Sequence, residues 1–331
     1  MGKPKTVVQV PAPEDLTPGR HLFWLTAGSA PNVDDSVPVI VHRGEESTPS
    51  MAIVAGVHGD EVEGMRAVHM IDRELARRPP AGSTLLIPTA NPAAFRAGAR
   101  RHPGDLVDLN RSFPGDPNGS VSLRLAARLF ETVGRWGFVL SLHSWFSSGS
   151  VTPYVEVPAG GGIAEARSKA VAELLGLDLV RLSDWHPGLL VASALRIGVP
   201  AVEVEVGGLG RLAPEYRGRC LQIVRYALAA VGVIDGATST AATDTYRHHY
   251  LPASCGGYFT REVELRERVR PGQRVGAVVD PFGHTRQVVR AIQSGLVVGY
   301  RDRPAVYAGD NLIYVFTPAS ASDEGLRRDG T

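Results

Sequence analysis

The sequence has the composition of an ordinary globular protein. Of its 331 residues, 44% are hydrophobic and 21% are charged, and the length suits one large domain with one small domain. The formal net charge is +1, so no strong field attracts a nucleic acid or an anionic membrane surface. No stretch approaches the ~20 continuous apolar residues of a membrane span. We therefore expect neither a nucleic-acid nor a membrane partner.

The cellular location is predicted from the cysteines and the N-terminus. Cys220 and Cys255 have no metal-binding or redox spacing, and two isolated cysteines favour a reducing compartment. The first residues lack the apolar core of a signal peptide. Together these features predict a cytoplasmic protein.

Strands and helices are predicted to alternate along the first 240 residues. Short apolar runs predict strands at Val37–His42, Met51–Val57, Thr84–Pro88, Phe138–Leu142 and Ala201–Val206. Helical periodicity predicts helices at Val62–Arg77, Leu123–Val133, Ile163–Leu175 and Tyr216–Val231, and the Pro- and Gly-rich stretch between them predicts a long loop at Asn91–Pro117. This order favours an α/β fold with a mixed, mostly parallel sheet covered by helices on both faces.

A change of composition at Asp235–Thr245 predicts a linker between two domains. We expect a main domain over residues 1–240, a small all-β domain over 245–318 and a disordered tail over 319–331. The second part contains a weak repeat, in which Ala253–Gly257 resembles Ala291–Gly295 and Val269–Val275 resembles Val306–Leu312. Two copies of a short β unit predict a barrel-sandwich of the kind found in biotinyl and lipoyl carrier domains. The region contains no lysine that could carry either group.

Polar residues with metal-binding character follow two of the predicted strands. His58 and Glu61 lie at a strand-to-helix turn, where an imidazole and a carboxylate three residues apart can converge on one ion. A helix cap with a first-turn acid explains the same pair equally simply. His143 ends another predicted strand, where a histidine bonded to the backbone is the alternative. The three residues together match the catalytic zinc pattern of three protein ligands and an open fourth position.

Further candidates lie on the strand Ala201–Val206 and in the long loop. Alternation places Glu203 and Glu205 on the same face of the strand, and Glu205, which is nearer the strand end, is our choice for a general base. In the loop, Asn110 and Arg111 offer an amide donor and a bidentate guanidinium that suit a carboxylate. A second arginine there could polarise a carbonyl group.

These segments resemble the succinylglutamate desuccinylase and aspartoacylase family, a branch of the zinc carboxypeptidase superfamily. The resemblance covers about residues 35–318 and rests on four segments that occur in the family's order: AGVHGDEVEG, NPAAFRAGARRHPGDLVDLNRSFPGD, SLHS and VEVEVGG. It implies a zinc-dependent amidohydrolase that removes the acyl group from a small N-acyl amino acid. One departure is visible, because Ser141 stands where the family usually has aspartate two residues before the third ligand.

The resemblance also implies a role for each candidate residue. His58, Glu61 and His143 would hold one zinc ion per chain, and Glu205 would act first as base toward the zinc-bound water and then as acid. Arg100 would bind the oxyanion, and Asn110 and Arg111 the substrate carboxylate. The main alternative is a zinc carboxypeptidase that acts on peptides, and a non-catalytic binding protein with the same fold is a third possibility. The sequence does not identify the acyl group or the amine, and it leaves a homo-oligomer open.

Overall fold

The computed structural model describes residues 3–26, 36–183, 186–240 and 244–319. The predicted tail lies outside the described residues except for Ala319. Part of the predicted linker, residues 241–243, also lies outside them. Among the described helices, none is both long and apolar enough to cross a bilayer.

Nine strands and six α-helices are described before residue 241. The strands are β1 (Lys5–Val7), β2 (Gly19–Leu25), β3 (Val37–Arg43), β4 (Ser50–Ala55), β5 (Ser83–Ile87), β6 (Val139–His143), β7 (Gly149–Pro158), β8 (Leu179–Ser183) and β9 (Ala201–Gly208). The helices are α1 (Glu63–Leu75), α2 (Pro92–Arg96), α3 (Val121–Val133), α4 (Gly162–Ala172), α5 (Leu190–Arg196) and α6 (Pro214–Val231). Short 3₁₀ turns span Pro13–Asp15 and Leu109–Arg111.

The remaining strands form the C-terminal β region. They are β10 (Asp244–Pro252), β11 (Gly257–Arg261), β12 (Arg268–Val269), β13 (Arg274–Val279), β14 (Thr285–Arg290), β15 (Gly295–Arg301), β16 (Ala305–Val306) and β17 (Asn311–Pro318). The sequence repeat corresponds to two consecutive sets of four strands, β10–β13 and β14–β17. The equivalent segments Ala253–Gly257 and Ala291–Gly295 both connect the first strand of a set to the second.

The main sheet is mixed rather than mostly parallel. Its centre, in the order β5-β4-β6-β9, is parallel. Antiparallel pairs flank this centre at β2–β3, β3–β5 and β7–β9. The expectation of a mostly parallel sheet is therefore not confirmed. Four of the five predicted strands form the parallel centre, but the fifth, Val37–His42, corresponds to β3, which pairs antiparallel with β2 and β5. Strand β7, which adds another antiparallel pair, was not predicted.

One side of the main sheet closes on itself. Strand β7 pairs with β8, β8 with β10, β10 with β17, β17 with β15, and β15 again with β7. This barrel-like closure joins the C-terminal β region to the strands that precede it. The division into domains at residues 240 and 245 is not decided by these pairings and stays a prediction.

The central strands are buried on both faces, which explains their continuous apolar runs. In β4 the side chains of Met51, Ile53 and Ala55 join the cluster that contains α1 and α6. Those of Ala52 and Val54 join the cluster that contains α3 and α5. Since β4, β6 and β9 run parallel, their carboxyl ends meet at one edge of the sheet, which is where ligands bind in such sheets.

Candidate active site

The strand register brings the predicted site residues to this edge. In the β6–β9 ladder Ser141 is the register partner of Glu203, and His143 is the partner of Glu205. Residues 56–62 connect β4 to α1 at the same edge and carry His58 and Glu61. The ends of three neighbouring strands therefore contribute to one site.

Two glycines shape the segment that carries His58. Gly56 has φ +67°, a conformation that residues with a Cβ rarely adopt. Gly59 lies so close to the backbone of Ala94 and Phe95 that a Cβ there would overlap it. This close approach fixes the segment against α2 and holds His58 over the sheet edge.

His58, Glu61 and His143 form a tight buried cluster. His58 Nδ1 lies 2.8 Å from Glu61 Oε1, His143 Nδ1 lies 2.9 Å from Glu61 Oε2, and the two Nδ1 atoms are 3.3 Å apart. The potential ligand atoms all lie within 4.8 Å of one another. Within the described residues this group and a second one, His143 with Glu203 and Glu205, could hold a metal ion.

Polar partners surround the cluster. His58 Nε2 lies 3.0 Å from Asp108 Oδ1. Arg100 donates from Nε to Asp108 Oδ2 and from Nη1 to Glu61 Oε1, both at 3.0 Å. Ser144 N donates to Glu61 Oε2 at 3.3 Å. The loop residues Arg100 and Asp108 thus lie beside the predicted ligands, and the oxyanion-binding role of Arg100 stays a prediction.

The electrostatics of the cluster follow from burial and close charges. Burial opposes charge on Glu61, but His58 and His143 outweigh it and hold the pKa of Glu61 well below its usual range. Burial likewise disfavours the charged form of His143, yet Glu203 and Glu61 raise the pKa of His143 to about 10. The site is therefore built to hold positive charge between carboxylates.

The two glutamates of β9 differ in their surroundings. Glu203 is buried, and its Oε2 accepts from Asn110 Nδ2 at 3.0 Å and lies 3.4 Å from His143 Nε2. Glu205 is half-buried, and within the described residues its Oε2 is a buried atom without a hydrogen-bond partner. Burial and then the charge of Glu61 raise the pKa of Glu205 well above its usual range. Glu205 is thus the glutamate with an unoccupied oxygen.

Asn110 and Arg111 lie in the 3₁₀ turn Leu109–Arg111, which Asp108 caps by accepting from Asn110 N at 3.0 Å. Both ends of the Asn110 amide are engaged, because its Nδ2 donates to Glu203 and its Oδ1 accepts from Leu190 N at 3.0 Å. Arg111 is exposed, and its Nη1 donates to Asn110 O at 2.8 Å. In the part of the chain that the structure describes, no carboxylate forms an ion pair with Arg111. The guanidinium remains available to an external anion, whereas the amide supports Glu203.

Two adjoining cavities, of about 430 and 360 Å³, open beside the cluster. Their volumes suit a small ligand. Both are lined by Arg100, Arg111, Arg181, Glu205, His248 and Tyr250. A larger cavity of about 950 Å³ lies between the C-terminal end of α1 and α6, and none of the predicted site residues lines it. The volume of a cavity therefore does not identify the candidate site here. The candidate site is identified by its position beside the cluster of His58, Glu61 and His143.

The C-terminal β region supplies part of the cavity wall. His248 and Tyr250 come from β10, and Tyr314 and Phe316 from β17. Asp310 and Asn311 close the larger of the two cavities at the start of β17. The C-terminal β region thus contacts the same space as Glu205.

Several wall residues were not predicted. Arg181 Nη1 donates to Glu156 Oε2 at 2.7 Å, and both residues line the smaller cavity. A signal existed, because Glu156 is a single acid between valines in β7. His186 also lines the smaller cavity. Tyr250 gave no sequence signal, since its place depends on the pairing of β10 with β17, where its register partner is Tyr314, and with β8.

Comparison with known families identifies the family to which the chain belongs. Residues 47–231 match the family model described as succinylglutamate desuccinylase/aspartoacylase catalytic domain. The matched segment contains every predicted site residue. The chain therefore belongs to the succinylglutamate desuccinylase/aspartoacylase family, which confirms the resemblance read from its motifs.

Individual relatives agree with this assignment. The N-alpha-acetyl-L-2,4-diaminobutyric acid deacetylase of Halomonas elongata is 28% identical over 293 residues, which cover 84% of this chain and 85% of the relative. The crystal structure of succinylglutamate desuccinylase/aspartoacylase from Rhodobacter sphaeroides has a TM-score of 0.82 at 26% identity, covering 92% of this chain and 97% of that chain.

A third similarity concerns the fold alone. The product-bound structure of the ectoine utilization protein EutE (DoeB) from Ruegeria pomeroyi has a TM-score of 0.83 at 23% identity. The match covers 93% of this chain and 97% of that one. The fold thus extends over both the catalytic segment and the C-terminal β region.

Proposed function

We propose that this protein is a zinc-dependent amidohydrolase that deacylates a small N-acyl amino acid. Family membership supports an enzyme that acts on N-acylated amino acids. The observation that carries the proposal for this chain is the buried cluster of His58, Glu61 and His143 beside the unpartnered oxygen of Glu205.

The donor set fits zinc. Two imidazole nitrogens and one carboxylate, all within 4.8 Å of one another, match the three-ligand composition of catalytic zinc sites. Zinc held there would lower the pKa of a bound water to about 7. Its positive charge would also offset that of Glu61, and so lower the pKa of Glu205, which the charge of Glu61 raises. Both effects suit hydrolysis near neutral pH.

The chain's own residues divide the remaining work. Glu205 takes a proton from the attacking water and gives it to the leaving nitrogen when the C–N bond breaks. Arg100 offsets the negative charge that develops on the carbonyl oxygen. Arg111 binds the substrate carboxylate through its guanidinium, which has no carboxylate partner among the described residues. Asn110 was predicted to bind the substrate carboxylate together with Arg111. In this proposal its amide instead donates to Glu203 and holds that side chain in place.

The volume and walls of the site favour a small substrate over a peptide. The two cavities are bounded by residues of the C-terminal β region, including His248, Tyr250 and Tyr314. An N-acyl amino acid occupies such a space and reaches Arg111 with its carboxylate. We further propose that residues 1–240 form the catalytic domain, that 245–318 form the domain that borders it, and that the enzyme is cytoplasmic.

A hydrolysis screen tests the proposal. The zinc-loaded protein would be assayed for amine release from N-acetyl and N-succinyl derivatives of a panel of amino acids, including the diamino acid type used by the Halomonas relative. We expect turnover of at least one N-acyl amino acid that stops when a chelator removes zinc. Full activity of the metal-free protein would overturn the zinc dependence.

A further inference from the structure

The aspartate that the family usually has two residues before the third ligand is replaced here by Ser141. The structure shows what lies around that position. Ser141 Oγ lies 2.9 Å from His143 Nε2, and Glu203 Oε2 lies 3.4 Å from the same nitrogen. Glu203 is the register partner of Ser141 on the adjacent parallel strand. A carboxylate therefore reaches this histidine from the next strand rather than from its own.

The far nitrogen of a metal-binding histidine needs a defined partner. An ionised carboxylate only accepts hydrogen bonds, so it keeps the proton on the ring nitrogen that faces it and leaves the other nitrogen free. A serine hydroxyl both donates and accepts, so Ser141 alone does not select one tautomer. For His143 the nitrogen that faces His58 and Glu61 is Nδ1.

We propose that Glu203 is the positioning residue that keeps the proton on His143 Nε2 and thereby presents Nδ1 to zinc, in place of the aspartate absent at 141. The inference rests on the proposed zinc site. Asn110 holds Glu203 in place, because its Nδ2 donates to Glu203 Oε2 at 3.0 Å and its Oδ1 is fixed by Leu190 N. The side chains of Asn110, Ser141, His143 and Glu203 are all buried, which restricts their movement.

A second metal ion is the competing explanation for Glu203. His143, Glu203 and Glu205 also lie within 4.8 Å of one another. However, the Asn110 amide donates directly to the Glu203 oxygen that would face such an ion, and a donor in that position disfavours a cation. The two explanations predict different zinc stoichiometry.

Zinc binding to variants provides the test. Dissociation constants would be measured without substrate by competition with a chromophoric chelator at one pH. We expect Glu203→Gln to weaken zinc binding ~10–100-fold, the range for loss of a partner of a ligand histidine, with an unchanged circular dichroism spectrum. Glu156→Gln is the matched control, since Glu156 is a buried glutamate, the register partner of Glu203 on β7, and is paired with Arg181 instead of a histidine. Its zinc affinity should stay within about twofold of the wild type.

Restoring the carboxylate on the other strand makes the test specific. In a Glu203→Gln background, Ser141→Asp should recover most of the lost affinity, which a merely structural role for Glu203 would not produce. Glu203→Asp, which keeps the charge on a shorter side chain, should bind zinc more tightly than Glu203→Gln.

Distinct outcomes would overturn the inference. One is zinc affinity of Glu203→Gln equal to that of the wild type. Another is two zinc ions in the wild type and one in Glu203→Gln, which would establish the second metal site. Zinc bound as described but no deacylation would overturn the proposed function alone. A wild-type protein that binds no zinc would overturn both.

Discussion

His58 and Asp108 form a direct pair at the edge of the candidate metal site, with His58 Nε2 3.0 Å from Asp108 Oδ1. The other ring nitrogen of His58 faces Glu61. Burial opposes charge on Asp108, but His58, Arg100 and Arg111 hold its pKa well below the usual range, so the carboxylate is ionised. Asp108 thus faces the ring nitrogen of His58 that points away from Glu61, as Glu203 faces the corresponding nitrogen of His143.

Substitutions at the two glutamates of β9 should affect different properties: turnover at Glu205 and zinc affinity at Glu203. Glu205→Gln should keep zinc bound and lower kcat by ~10²–10⁴-fold, because a general base and acid is removed while the ligands stay intact. The measurements are steady-state kinetics and metal analysis of the same preparation.

Glu203→Gln is the comparison for this prediction. At saturating zinc it should retain far more turnover than Glu205→Gln, since the Glu203 oxygen is already occupied by Asn110. If Glu203→Gln lost turnover with zinc fully bound and Glu205→Gln did not, the base would be Glu203.

Arg111 should act on the substrate carboxylate. Arg111→Ala should raise KM for N-acyl amino acids with a free α-carboxylate and should affect their amides or methyl esters little, because only the anion pairs with a guanidinium. Arg111 has no ion-pair partner among the described residues, so its removal leaves no buried charge behind. Equal losses on charged and neutral substrates would indicate that Arg111 supports the loop instead.

The sequence was sufficient to locate the ligand cluster for a physical reason. His58, Glu61, His143 and Glu205 lie near, at or just after the carboxyl ends of β4, β6 and β9, and parallel neighbouring strands bring such ends together. Their roles were implied by family resemblance and stay predictions. Local sequence did not reveal that the Asn110 amide pairs with Glu203, because that contact depends on how a loop folds back onto β9.

The parts of the fold that were not predicted are two strands and several short local elements. Strands β7 and β8 and helix α5 were not predicted, and the long loop proved to contain α2 and a 3₁₀ turn. Strand β7 pairs with β9, β8 and β15, so its place depends on three partners distant in sequence. The barrel-like closure follows from these pairings and has no local signature in the sequence.

Gly299 on β15 should be intolerant of a side chain. A Cβ at Gly299 would overlap the indole of buried Trp145, which also packs on Tyr314 with ring centroids 4.1 Å apart. Gly299→Ala should therefore destabilise the protein by about 1–3 kcal/mol. It should also raise KM, because Trp145 lines the cavity of about 430 Å³ beside Glu205.

Gly218 supplies the control for that substitution. It lies inside α6, is exposed, and has open space where a Cβ would be. Gly218→Ala should raise stability by up to ~1 kcal/mol through helix propensity. Thermal melts of both variants would show opposite shifts, and a neutral Gly299→Ala would mean that the indole can move aside.

Asp72 should make stability depend on acid pH. It accepts from Arg20 at 2.8 and 2.9 Å and lies 2.8 Å from His42 Nε2. Burial would raise its pKa, but the hydrogen bonds of His42 and Arg20 outweigh this and hold the pKa of Asp72 at about 2. Because the folded pKa lies below the unfolded value of ~3.9, the stabilisation is complete above about pH 4 and is lost as the pH falls toward 2.

Asp72→Asn tests this directly. It should lower the free energy of unfolding by about 1–3 kcal/mol at pH 7, and the difference from wild type should shrink as the pH falls from about 4 to 2. Denaturant unfolding across this pH range provides the measurement, and a difference that stays constant with pH would contradict the assigned ionic role.

The final prediction separates a deacylase from a carboxypeptidase. The cavities beside Glu205 are bounded by side chains of β10 and β17, including Tyr250, Asp310 and Tyr314. A cavity of about 430 Å³ suits a small ligand such as an N-acyl amino acid, and we expect these walls to obstruct the extended backbone of a longer peptide. We therefore expect kcat/KM for an N-acetyl amino acid to exceed that for a tetrapeptide with the same C-terminal residue by at least ~100-fold, which corresponds to about 2.7 kcal/mol of transition-state stabilisation. Comparable or faster peptide hydrolysis would favour the carboxypeptidase. If both substrates react slowly, a panel of larger acyl groups on the same amino acid is the measurement that decides, since the expected preference for small substrates then requires one of them to be cleaved faster than the tetrapeptide.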